Sequence, residues 1–100
     1  MSRELLKDDS GSVRVSEAAL VHLVDSAVSE VEGARLRRRR RLSLDLADGH
    51  ARAEIEVAVA YGSVLPETAR AVQERVGEAL ARTCGVTVDA VDVAVVELTR

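Results

Sequence analysis

Apolar residues recur at Leu20, Leu23, Val24, Ala27, Val28 and Val31. This is the i, i+3, i+4, i+7 rhythm of a helix with one buried stripe. Ser16 stands where an N-cap belongs, with Val15 and Leu20 placed for a hydrophobic staple, and Gly33 stands at a C-terminal cap position. The pattern predicts a helix over 16–32. The period then drops to two. Leu42, Leu44 and Leu46 alternate with Ser43 and Asp45, as in a half-buried strand, and Asp48-Gly49 is a strong two-residue hairpin signal. A second strand follows over 51–61, with Ile55, Val57, Val59 and Tyr61 on one face. Past a loop over 62–65, Pro66 and Glu67 open a second helix. Its stripe is Ala69, Val72, Val76, Ala79 and Leu80, and Gly85 closes it. Val91, Val93 and Val95 face inward on a last strand over 88–98.

The order is helix, strand, strand, helix, strand. Two helices laid on one face of a small three-stranded mixed sheet satisfy every apolar stripe and face, giving a two-layer α+β sandwich. The second helix returns the chain, so the last strand runs parallel to the second; its place in the sheet is left open. Residues 1–12 are polar and read as a flexible tail. Residues 13–98 form one domain, with room at Val13 and Val15 for a short N-terminal edge strand.

Composition narrows the picture. The chain has 100 residues, is 47% hydrophobic and holds one aromatic residue, Tyr61, with no Phe or Trp. Its core must be built from Val, Leu, Ile and Ala, whose small side chains each remove little area from water, worth roughly 25 cal/mol per Å². The lone cysteine, Cys84, cannot form an intrachain disulfide. The first residues resemble no signal peptide, and no run approaches the ~18 apolar residues of a membrane span. These features predict a cytoplasmic protein without direct membrane insertion.

Charge is unevenly spread. Six arginines, Arg35 and Arg37 to Arg41, fill seven positions of a chain with net charge −3. Without them eight basic residues face seventeen acidic ones, a balance of −9. The hairpin sets a register in which Leu46 faces Ala51, Leu44 faces Ala53 and Leu42 faces Ile55, while Asp45 meets Arg52 and Arg41 meets Glu56. Such opposite charges stabilise by ~0.2–1 kcal/mol each. Arg40 would point inward if that strand continued, which an unpaired charge forbids. Arg35 and Arg37, Arg38, Arg39 and Arg40 therefore read as a connecting loop. It is either a solvated basic loop among acidic neighbours or a contact for phosphate or another acidic partner.

Chemistry is sparse. His22 and His50 lack neighbours at metal-ligand spacing, and Cys84 reads as a small packing residue. Glu54 and Glu56 share a face, but Arg41 and Arg52 account for them as cross-strand partners. No glycine pattern makes a phosphate-cradling loop. The reading is of a non-enzyme without metal or cofactor. The element order is near that of a KH-type domain, yet no GxxG clamp exists and Tyr61 lies on the inward alternation. Sequence-specific nucleic-acid binding is thus not expected, though the arginines could give weak, salt-sensitive contact with RNA or an anionic surface. The sheet's open face carries Ala58, Ala60, Ala94, Val96 and Leu98. These are either scattered small residues or a docking patch for another copy or another protein.

Several segments carry a resemblance. Val31-Glu32-Gly33-Ala34, then Tyr61-Gly62-Ser63-Val64-Leu65-Pro66-Glu67-Thr68-Ala69, Gln73-Glu74-Arg75-Val76 and Val91-Asp92-Val93-Ala94-Val95 follow one another in order. They are similar to the V-E-G-V, Y-G-x-x-I-P-E-V-A, Q-E-R-V and V-x-V-x-V segments of the alkaline shock protein family, the Gls-type envelope stress response proteins. The resemblance covers Val13 to about Leu98. It implies a small cytoplasmic, non-enzymatic bacterial protein of cell-envelope homeostasis that self-associates as a homo-oligomer or binds a protein partner such as a small membrane anchor. It offers no catalytic residues. The arginine run departs from the family, whose connection there is less charged. The alternative is a weak KH-like domain binding RNA or an anionic surface through residues 35–41.

Overall fold

A computed structural model describes residues 2–8, 11–37 and 43–100. The Ser16 side chain accepts a hydrogen bond from the Ala19 N–H at 3.1 Å and starts helix α1, Glu17–Ser29. The Asp48-Gly49 turn joins strands β4, Ser43–Ala47, and β5, His50–Ala60, counted after β1, Ser2–Asp8, β2, Gly11–Ser16, and β3, Ala34–Leu36. Helix α2, Leu65–Cys84, begins with proline in its first turn and ends on Gly85, whose left-handed φ of 68° lets its N–H reach the Ala81 carbonyl. Strand β6, Thr87–Thr99, completes the chain.

The hairpin holds the register that its turn dictates: Ala47 opposite His50, Leu46 opposite Ala51, Asp45 opposite Arg52 and Leu44 opposite Ala53. The pairs expected for Leu42 and Arg41 lie outside the described residues. β5 is the hub of a four-stranded mixed sheet. On one side β3 and β4 lie antiparallel to it, β3 beside its C-terminal part and β4 beside its N-terminal part. On the other side β6 runs parallel, which fixes the strand order that the sequence left open. Alternate residues of β5, Ala51, Ala53, Ile55, Val57 and Val59, are buried. They meet Leu20, Val24, Ala27 and Val28 of α1 and Val72, Val76, Ala79 and Leu80 of α2. The layers are thus two helices over one sheet, as the stripes require.

Three departures have local causes. Residues 2–8, expected as tail, form β1 and pair antiparallel with β2, Leu6 beside Val13. A ladder of main-chain hydrogen bonds does not need a strong apolar alternation, so this strand left little trace in the pattern. Residues 34–36, expected as loop, form β3, which makes the sheet four-stranded rather than three-stranded. Helix α1 stops at Ser29 rather than 32, because the Glu30 and Val31 N–H groups turn back to Ala27 and Val28. Gly33, at φ 84°, then swings the chain into the sheet, and a Cβ there would stand 3.2 Å from Ser63 Oγ.

Leu80 has no exposed surface, so Leu80→Ala should lower the unfolding free energy by about 2–5 kcal/mol in a urea titration. Leu98→Ala, at a side chain half exposed, should change it by no more than about 0.5 kcal/mol.

Candidate interaction surface

The five small apolar residues assigned to the open face do not stay together. Register shifts interrupt the β5–β6 ladder between Ala51 and Arg52 and between Val57 and Ala58. At the second, Val57 pairs with Val95 and Ala58 with Glu97, so Val96 is an extra residue in β6. Such a bulge reverses the alternation beyond it. Leu98 consequently pairs with Val59, a residue of the helix-covered face. Leu98 therefore does not belong to the open face. Ala58 does face that way, but it is only 1% exposed. Ala60 is half-buried, while Ala94 and Val96 are exposed. The continuous patch, one of the two readings of the period-two count, is absent in that form.

The exposed large apolar residues belong instead to the segments near the end of the sheet where β5 and β6 finish side by side. The Tyr61 N–H donates to the Thr99 carbonyl, which ties the end of β5 to the end of β6. Tyr61 is 70% exposed, Val64 57%, Leu98 50%, Val96 42% and Leu65 37%. Tyr61 was expected to face inward. β5 ends one residue earlier, at Ala60, and Gly62 at φ 98° turns the chain away, so the ring stands in solvent with the Arg100 guanidinium 5.6 Å from its centre. Nothing in the alternation betrayed this. The Gly62 turn signal was visible, but where the strand would stop before it was not.

The arginine run is divided. Arg35 lies in β3 opposite Ala58 and is exposed. The Arg37 N–H donates to the Glu56 carbonyl at 2.9 Å, and its guanidinium pairs with Glu97 at 2.5 Å. Both residues were expected to be free loop cations. Pairing of β3 with β5 brings the Arg37 guanidinium to Glu97, the residue that stands opposite Ala58 in β6. Arg38, Arg39, Arg40 and Arg41 lie outside the described residues; the described chain on either side, Leu36 and Ser43, pairs with Val57 and Glu54 of β5.

His50 Nδ1 lies 3.0 Å from Asp89 Oδ1, in a shallow hollow of about 320 Å³ that Asp45 and Arg52 also line. Among the described residues no three His, Cys, Asp or Glu side chains could hold a metal ion. Burial raises the Cys84 thiol above its ordinary pKa, away from the thiolate that nucleophilic chemistry needs. Among the described residues no helix is long and apolar enough to cross a membrane.

Residues 35–100 match the model of the alkaline shock protein family, described by its cell envelope-related function. The chain belongs to the alkaline shock protein family. Its quoted segments resemble this same family. No curated protein sequence matches the chain. Among solved structures, this alkaline shock family chain is similar to the copper form of a MamM CTD variant, with 16% identity and a TM-score of 0.57 over 85% of this chain and 100% of that one. It is also similar to the cadmium form of another MamM CTD variant, with 17% identity and a TM-score of 0.55 over 80% and 94%. At such identities the likeness concerns the α+β fold alone.

Two outcomes follow from this geometry. A double-mutant cycle on Arg37→Ala and Glu97→Ala should give a coupling of about 0.2–1 kcal/mol by chemical denaturation, since both side chains keep substantial exposure. Because burial holds the Cys84 thiol in its neutral form, iodoacetamide at mildly alkaline pH should alkylate it more slowly in the native chain than in urea, with the ratio narrowing as pH rises.

Proposed function

We propose that this domain is a non-enzymatic protein-interaction module in bacterial cell-envelope stress response or homeostasis. It works in the cytoplasm, by self-association or by holding a membrane-anchored protein partner. Membership of the alkaline shock protein family supports the envelope context. The observation that carries the interaction role is the group of exposed apolar side chains at one end of the sheet: Tyr61, Val64, Leu65, Val96 and Leu98. Large apolar side chains gathered in water favour burial against another protein. Leu98 is paired to β5, Tyr61 is tied to Thr99 and Leu65 opens α2, so much of this backbone is ordered before any partner arrives, which lowers the entropic cost of binding.

The double variant Val96→Asp, Leu98→Asp should weaken self-association in sedimentation velocity. It should also remove cross-linking to envelope partners in cells that carry it as the sole copy, and impair growth under envelope stress. Both sites are exposed, so the melting temperature should move little. Unchanged association, cross-linking and growth in the folded variant would refute the proposal.

A further inference from the structure

A groove runs between the outer flank of β6 and α2, near the N-terminal half of β6 and away from the apolar end. Its volume is about 560 Å³, and it is lined by Gln73, Glu74, Gly77 and Glu78 from α2 and by residues 88–92 of β6. Among the described residues β6 hydrogen-bonds to one strand only, β5. Main-chain N–H and C=O groups along the other side of this 13-residue strand have no strand partner among the described residues. β6 lacks Pro and Lys, two common guards of an open edge, and within residues 88–92 it carries one bulge, at Asp89.

The groove has a distinct floor and rim. Gly77 leaves α2 without a side chain where it faces β6: a Cβ there would lie 4.0 Å from Val88 Cγ1 and from Val91 Cγ2. Val88 and Val91, both half-buried, form an apolar floor. The rim is acidic, with Glu74, Glu78, Asp89 and Asp92. Arg75 approaches Glu78 at 3.5 Å, and His50 approaches Asp89 at 3.0 Å. Glu74 and Asp92 have no ion pair among the described residues, and both are exposed.

We infer that this groove takes an extended, basic segment of a partner protein, added alongside β6 as a further strand. Strand addition satisfies the open backbone groups, and alternate apolar side chains of the segment cover Val88 and Val91. Lysines or arginines at the intervening positions face the open side of the sheet and meet Asp92, and a basic residue at the α2 margin of the segment meets Glu74. A second copy is a poorer occupant, since its own β6 edge carries Asp89, Asp92 and Glu97 and no base; edge-to-edge pairing would set acid against acid. This identifies a class of partner for the interaction module and rests on that reading, but on a different surface.

The test uses the full chain and two short labelled peptides, one alternating valine with lysine and the other valine with glutamate. Fluorescence anisotropy at low salt should show binding of the lysine peptide alone, weakened by added salt. Backbone amide NMR shifts should concentrate at residues 73–78 and 88–92. The double variant Glu74→Lys, Asp92→Lys should bind the lysine peptide roughly tenfold less tightly or worse and gain affinity for the glutamate peptide. No binding, equal binding by wild type and variant, or shifts confined to other surfaces would overturn the inference. So would β6 amides protected in a dimer of the chain without peptide, which would assign the edge to a second copy. Each of these failures leaves the Val96→Asp, Leu98→Asp outcome unaffected, so the two ideas fall separately.

Discussion

Burial of β5 is the interaction on which every other part of the structure depends. Among the described residues it alone has strand neighbours on both sides, β3 and β4 on one and β6 on the other, and its inward residues form the floor that both helices cover. The covering layers are made of Val, Leu, Ile and Ala. Each such side chain contributes little, so the core works through close packing of many small groups rather than a few aromatic anchors. At β6 the burial is incomplete. Its inward valines at 88, 91, 93 and 95 are only half-buried, because the sheet ends there and α2 covers that margin partially. The free surfaces of the protein are thus where the arrangement around β5 runs out.

Much of this was legible in the sequence. Helical stripes at Leu20–Val24–Ala27–Val28 and Val72–Val76–Ala79–Leu80 located the helices, since a run of correctly spaced apolar residues has few other solutions. The Asp48-Gly49 turn fixed the hairpin register residue by residue, because a two-residue loop leaves no slack. Three things were not legible. β1 and β3 are short or weakly patterned, and their ladders draw on backbone groups that every sequence possesses. The extra residue Val96 shifts the alternation of β6, and a rule of strict period two assigns everything beyond it to the wrong side. Ala58 is buried although it alternates with the inward Val57 and Val59, and it stands between Arg35 of β3 and Glu97 of β6, a long-range relation that local spacing does not encode.

Charge pattern and surface character are linked through Arg37. Arg37 spends its charge on Glu97, so the basic cluster is partly used to settle the protein's own acidic sheet. Elsewhere the acidity is left unmatched, as at Glu74 and Asp92 beside the β6 edge. Apolar exposure at one end and acidity along one flank give the domain two surfaces of different chemistry, joined through β6.

The position of Tyr61 sets how this molecule will look to ultraviolet light. It is the only aromatic residue in the chain, and its ring lies outside the core under Arg100. Intrinsic emission and near-ultraviolet dichroism therefore report on one corner of the sheet and are blind to the aliphatic interior. A partner settling on that corner would alter the optical signal while the core stayed unchanged, whereas loosening of the core has to be followed through the peptide groups.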